Sequence, residues 1–234
     1  MGGMIEFKNV TKSYQLGQGD YLALNQVSFT IDEGEFVVIL GPSGAGKSTV
    51  LNLLGGMDTA TSGDIIVNGN NITACKDKEL TRYRAENVGF VFQFYNLLPT
   101  LTALENVALT RDIVRDALDP SVMLASVGLG KQASQFPSQL SGGEQQRVSI
   151  ARAICKNPTM LLCDEPTGAL DSETGIVILS LLQQMSRENN KTVIIVTHNS
   201  ALAQAADKII RIKNGMVQEV VNNEHPASIR EVAW

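Results

Sequence analysis

The stretch "FVVILGPSGAGKST", Phe36 to Thr49, decides the fold. Its first five residues form an unbroken, largely β-branched apolar run, the pattern of a strand buried on both faces. The nine that follow keep the spacing Gly41-x-x-x-x-Gly46-Lys47-Ser48, and "VLNLLGGM" behind them repeats apolar residues on a helical period. Buried strand, glycine-rich turn and helix in that order make a phosphate-binding loop. Glycines at 41, 44 and 46 let the backbone take positive φ and turn successive N–H groups onto phosphate oxygens. The cradle is therefore Gly41, Pro42, Ser43, Gly44, Ala45, Gly46, Lys47, Ser48 and Thr49. Lys47 is expected to reach the β- and γ-phosphates, Ser48 to offer its hydroxyl to Mg²⁺, and Thr49 to touch the α-phosphate.

Upstream, "MIEFKNVTKSY" and "QVSFTI" alternate apolar and polar residues as half-buried strands do, with Ile5, Phe7 and then Val10 inward. "SGDIIVNGNNIT" reads as two short strands about an Asn68-Gly69 turn. From about Leu101 to Lys156 the texture becomes helical, with "TALENVALTRDIVRDAL" and "SVMLASVGL" on a helical period. Alternation then resumes: strand "TMLLCDEP", helix "TGIVILSLLQQMSRENN", strand "KTVIIVTH", short helix "SALAQAAD", hairpin "KIIRIKNGMVQEVV". This order predicts an α/β fold with a mostly parallel sheet covered on both faces, interrupted by a helical insert. One domain over 1–222 is expected, with a helical subdomain at about 96–156 and a polar C-terminal tail at 223–234.

Two further strand ends carry chemistry. "MLLCDEP" finishes in Asp164 and Glu165, and ligands in open α/β sheets bind outside the carboxyl ends of strands. Asp164 can hold Mg²⁺ opposite Ser48, while Glu165 can orient or deprotonate a water attacking the γ-phosphate. His198 ends the next buried strand; it is either structural or a γ-phosphate sensor, and its convergence with Gly41 and Asp164 favours the sensor. A second anion cradle follows from "LSGGEQQR", residues 140–147, where a serine and two glycines open a helix whose free N–H groups point at the ligand. One chain thus carries two phosphate cradles.

Composition narrows the classes. The 234 residues are 44% hydrophobic and 18% charged, an ordinary globular composition. A net charge of −5 argues against a general nucleic-acid binder. No apolar run approaches the roughly 18 residues of a membrane helix, and the N-terminus lacks the pattern of a signal peptide. Cys75, Cys155 and Cys163 form no CxxC pair, so neither a disulfide framework nor a zinc site is expected and a reducing cytoplasm fits.

With "LSGGEQQR" between the phosphate loop and the carboxylate strand, the sequence resembles the ATP-binding cassette (ABC) family, six of whose elements occur in order along nearly the whole chain. The resemblance implies a P-loop NTPase (RecA-like) core with an antiparallel β subdomain and an inserted helical one, and an ATPase using ATP and Mg²⁺. It implies that Tyr14 stacks on adenine, with Tyr21 as the competitor, and that Gln93 helps coordinate Mg²⁺ together with Ser48 and Asp164. It implies that Ser141, Gly142, Gly143 and Gln145 bind ATP in trans. Asp171 matches the dimer-contacting loop, and Lys47, Glu165 and His198 match the catalytic set. Two chains would then pack head to tail, each ATP sandwiched between Lys47 of one and Ser141 of the other, so that neither half-site is complete alone.

"VGFVFQFYNLLPTLTALENV" and "DEPTGALDS" are similar to one branch of that family, the separate ATPases of macrolide and peptide-antibiotic exporters, lipoprotein-release systems and their cell-division relative. That likeness implies a homodimer on the cytoplasmic side of a separate membrane permease, docked near Gln93–Leu101 and the helical subdomain, with no nucleic-acid partner. Phe94, Tyr95, Leu97 and Leu98 are either core or a groove for a partner helix. Three features depart from the family: a shorter insert between Asn106 and Ser141, Asn199 where Asp is more frequent, and Cys163 ahead of Asp164. Alternatives are a signalling or mechanotransmission ATPase that moves no cargo, a cassette protein of ribosomes or chromosomes, and a nucleotide kinase. The last would leave Ser141–Gln145 unexplained.

Overall fold

The computed structural model describes residues 3–17, 19–114, 116–168 and 170–232. Strands β1 (Ile5–Leu16) and β2 (Gly19–Ile31) form a long antiparallel hairpin, and β3 (Phe36–Leu40) leaves it for a second sheet. β4 (Ser62–Val67) and the short β5 (Asn70–Asn71) complete the first sheet in the order β2-β1-β4-β5. The break in alternation between Phe7 and Val10 has a local cause. Asn9 lies at φ 49 inside a register shift, and this bulge moves the inward set from odd to even positions.

The second sheet runs β10-β9-β3-β8-β7-β6 and adds β6 (Val88–Val91), β7 (Met160–Asp164), β8 (Thr192–Thr197), β9 (Lys208–Lys213) and β10 (Met216–Asn222). All neighbouring pairs are parallel except β9 with the edge strand β10. Every residue of β3 and β8 is buried, as their continuous apolar runs require. Order β3-β8-β7 sets the ends at Leu40, Thr197 and Asp164 side by side.

Helices α1 (Lys47–Leu54) and α2 (Asp77–Asn87) lie in the core between the two sheets, α1 against β7 and β8 and α2 against β6. Periodicity gives no sign of α2, which buries only Leu80. The insert contains α3 (Ala103–Ala108), α4 (Pro120–Ser126) and α5 (Gly142–Cys155), followed after β7 by α6 (Ser172–Asn189). Residues 102–118 do not make the single helix their spacing predicts: α3 stops at Ala108 and passes into a 3₁₀ turn, Leu109–Asp112. Buried Thr110 donates its hydroxyl to the Val107 carbonyl at 2.9 Å, the local side-chain competition that shortens helices. Position 115 lies outside the described residues. "SALAQAAD" likewise forms a 3₁₀ helix, Ser200–Ala205, rather than an α-helix.

β3 sends its side chains to two separate cores. Phe36, Val38 and Leu40 join the core built with α3 to α6, while Val37 and Ile39 join the one built with α1 and the antiparallel sheet. Segment 223–232 is no free tail. Ile229 and Val232 are buried, and Gln183 of α6 donates to the carbonyls of Ala205 (3.2 Å) and Ala227 (2.9 Å) while accepting the Ile229 N–H at 3.2 Å. Residues 233 and 234 lie outside the described residues.

Candidate functional site

The phosphate loop owes its shape to Gly46, the N-cap of α1, at φ 101. A Cβ there would stand 2.6 Å from the Ala23 carbonyl, so both the conformation and the space demand glycine. No side chain caps α1, and the N–H groups of its first turn have no intrahelical acceptor. Lys47 is 8% exposed, and its Nζ donates to the carbonyls of Gly41 (2.8 Å) and Pro42 (3.0 Å). Two of its protons brace the loop; the third is left for an anion.

Beyond the loop lies a cleft of about 700 Å³ lined by Ser43 to Thr49, Gln93, Asp164, Glu165, Gly168, His198 and Tyr21. Ser48 Oγ donates to Asp164 Oδ1 at 3.3 Å. Burial raises the Asp164 pKa above the usual carboxylate value; the Ser48 bond opposes this and the neighbouring Glu165 charge adds to it. Glu165 follows at φ 44, a strained value for a side-chain-bearing residue. Its N–H donates to the Val196 carbonyl at 3.0 Å, folding the side chain back over the end of β8. There Oε1 accepts the His198 N–H at 3.0 Å and meets its Nδ1 at 2.9 Å, while Oε2 accepts the Thr197 hydroxyl at 2.9 Å. Gln93 reaches the same corner, its Nε2 3.2 Å from where a Cβ on Gly168 would sit. The three predicted strand ends thus meet at one cleft.

A carboxyl whose pKa is raised on folding holds its proton more tightly in the folded state. Its contribution to stability therefore falls as pH climbs from the unfolded value through the raised one, and stays lost above it. Asp164→Asn is accordingly expected to raise the melting temperature of the chain at neutral pH. Thermal unfolding with and without the substitution checks this; an unchanged or lower melting temperature contradicts it.

The adenine-stacking expectation divides differently. Tyr14 and Tyr21 face each other across the β1–β2 hairpin, but Tyr21 lines the cleft and Tyr14 does not. The Tyr14 hydroxyl donates to Asp58 Oδ2 at 2.8 Å, and Lys12 Nζ, itself 2.6 Å from Asp58 Oδ1, sits 4.7 Å from the centre of its ring. Burial and then Asp58 raise the Tyr14 pKa. Tyr21, 46% exposed, is the aromatic face open to a ligand.

Ser141 caps α5, as the sequence implies: its Oγ accepts the Glu144 N–H at 3.3 Å and Glu144 Oε2 accepts the Ser141 N–H at 2.8 Å. Gly142 lies against the Tyr95 hydroxyl and Gly143 against the Thr174 methyl group, where any added Cβ collides. Thr174 is in turn fixed by Asp171, which caps α6 through the Thr174 N–H at 2.9 Å. Gln145 is turned back, donating to the Leu140 carbonyl at 3.1 Å. None of Ser141, Gly142, Gly143, Gln145 or Asp171 lines the cleft. Of the apolar residues that follow Gln93, Leu97 packs on the core whereas Phe94 and Leu98 are exposed, so the cluster divides between the two readings.

Two residues escaped the sequence reading. Gln146 is fully buried and donates from one amide nitrogen to the carbonyls of Phe92 (3.2 Å) and Pro166 (2.9 Å). Arg152 donates to the carbonyls of Asn96 (2.7 Å) and Tyr95 (3.0 Å). Both act on backbone oxygens, which no residue pattern records.

Comparison with known proteins closes the identification. The family model for ABC transporters matches residues 24–168. This chain is a member of the ABC transporter ATPase family. It is 45% identical over 224 residues to an uncharacterized ABC transporter ATP-binding protein of Methanocaldococcus jannaschii, covering 92% of this chain and 95% of the relative. The solved ATP-binding cassette MJ0796, a dimer in a post-hydrolysis state bound to ADP and Pi, superposes with a TM-score of 0.87 at 44% identity over 94% of this chain and 98% of that one. A macrolide export ATP-binding/permease protein of Rhodopirellula baltica is 42% identical over 225 residues, 93% of this chain but 33% of the relative. This chain is therefore an ABC ATPase, of a family that binds and hydrolyses ATP. Among the described residues no helix is long and apolar enough to cross a membrane.

Proposed function

We propose that this ABC ATPase closes as a head-to-tail homodimer around two ATP molecules and uses their hydrolysis to move a separate membrane permease. The observation that carries the reading is the separation of two phosphate-binding elements. Lys47 faces the cleft, whereas Ser141 at the N-terminus of α5 does not line it. A second chain is the simplest source of the missing half, and the solved relative is a dimer. Lys47 and the loop N–H groups hold the phosphates, Tyr21 or Tyr14 takes the base, and Ser141, Gly142, Gly143 and Gln145 close over the γ-phosphate from the partner, with Asp171 at the contact.

The donors beside the phosphate loop suit Mg²⁺. Ser48 and Asp164 are hard oxygen ligands already within 3.3 Å, Gln93 adds an amide oxygen, and Mg²⁺ favours one or two protein oxygens plus phosphates over an all-protein cage. Among the described residues no His, Cys, Asp and Glu cluster forms such a cage. Bound there, the ion would neutralise charge on the phosphates. Glu165, held by Thr197 and His198, accepts a proton from the attacking water, and His198 senses the γ-phosphate. Loss of that phosphate removes the contacts that favour the closed dimer, so it opens.

Exposed Phe94 and Leu98 beside Gln93 support docking of the permease on residues 93–101 and the helical subdomain, about 96–156, at the inner face of the membrane. The relative that fuses ATP-binding and permease parts supports a partner of the macrolide-exporter type. In mixed dimers, Ser141→Ala on one chain is expected to slow hydrolysis at the other chain's phosphate loop about tenfold or more, as loss of a transition-state donor does. A wild-type chain paired with one carrying both Lys47→Ala and Ser141→Ala tests it against the pair with Lys47→Ala alone, because the wild-type phosphate loop then does the hydrolysis and faces only the altered Ser141. Turnover unaffected by Ser141→Ala on the partner refutes the composite site.

A further inference from the structure

Gln146 stands at a junction that the reading above does not use. Its one amide nitrogen donates to the carbonyl of Phe92, immediately before Gln93, and to that of Pro166, immediately after Glu165. Its side chain projects from α5, the helix that Ser141 caps five residues earlier. The residue is 0% exposed, and its own Oε1 is buried without a hydrogen-bond partner. A buried amide that leaves its acceptor unsatisfied is unfavourable, since the desolvation of that oxygen goes uncompensated. An aliphatic side chain would fill the same space without that loss but would leave the Phe92 and Pro166 carbonyls without the donor. What the amide supplies is geometric: the backbones beside the water-activating carboxylate and beside the Gln93 amide are tied to one atom of the signature helix.

We infer that Gln146 is a positioning residue for hydrolysis, setting the distance between Gln93 and Glu165 and coupling both to the attitude of α5. The inference rests on the roles proposed above for those two residues. Any tilt of α5 that carries Ser141 toward or away from a partner moves Nε2, and both carbonyls follow it. The site is therefore ordered for chemistry only when α5 is seated. Arg152, two turns further along α5 and bonded to the carbonyls of Tyr95 and Asn96, keeps the rest of the Gln93 loop on the same helix.

The test compares Gln146→Leu with Gln146→Met in the purified full chain. Methionine restores the length and volume of glutamine but no donor. Both variants are expected to lower kcat by about ten- to a hundredfold, the penalty of a misplaced catalytic group, with the ATP KM within about threefold of wild type. Hydrogen exchange should quicken in residues 92–96 and 165–168 while α1 stays protected. Recovery of kcat to within about twofold by Gln146→Met shows that only volume matters and overturns the inference. So does a loss of protection spread evenly over the chain, which marks a folding defect. Glu165→Gln run in parallel separates the two levels. If it still hydrolyses ATP, the underlying assignment fails; if it is inactive while Gln146→Met is active, only the positioning role fails.

Discussion

Glu165→Gln is expected to lower ATP turnover by about a hundred- to ten-thousandfold, the range of a lost general base, and to leave a long-lived ATP-bound dimer. The substitution is close to isosteric, and the surroundings tolerate an amide. The carbonyl oxygen can keep the two contacts to His198 that Oε1 makes at 3.0 and 2.9 Å. The new NH₂ then faces Thr197 Oγ1, which now donates at 2.9 Å and can rotate its proton away to accept. Geometry survives, the negative charge does not, and the attacking water loses its proton acceptor. Nucleotide affinity should hold, because no phosphate contact is assigned to Glu165. Size-exclusion chromatography with ATP, beside phosphate release, measures both halves; a variant that stays monomeric and keeps hydrolysing removes Glu165 from the mechanism.

Lys47→Ala acts a step earlier and should weaken ATP binding by about a hundredfold or more. The ammonium group is nearly buried and already braces the loop through the carbonyls of Gly41 and Pro42. Truncation removes the charge opposite the phosphates and uncouples both carbonyls from the start of α1. Losing one partner of a buried charge pair costs about 3–5 kcal/mol, roughly two to three and a half decades in affinity. Titration calorimetry with a non-hydrolysable ATP analogue reads this directly; near-normal affinity would mean that the loop's N–H groups alone hold the phosphates.

Much of this site is written in short, local patterns. The apolar runs ahead of Gly41, Asp164 and His198 announce buried parallel strands, and in a parallel sheet their ends must share an edge. The structure sets them on adjacent strands. Legibility fails where the decisive partner is a backbone atom or distant in sequence. Gln146 looks like one polar residue among several in "GGEQQR", because its partners are carbonyls 54 and 20 residues away. The segment after Asn222 reads as polar, yet Ile229 and Val232, three apart, supply the apolar face that docks beside Gln183. Helix α2 is hidden for the opposite reason: with Leu80 alone buried, it carries almost no stripe to detect. Tyr14 and Tyr21 are directly opposed and share a face of the hairpin, so the choice between them turns on Asp58, 44 residues from Tyr14, which holds the Tyr14 hydroxyl and leaves no mark in the local pattern.

The division of β3 between two cores has a consequence for how such a chain can diverge. No residue belongs to both, so the main sheet is a firewall: Phe36, Val38 and Leu40 answer to the helical half, Val37 and Ile39 to the half that cradles phosphate. Packing changes separated this way combine with little mutual interference. The helical half can therefore drift with whatever it docks against while the ATP grip stays as it was, and one engine can be refitted to a succession of machines.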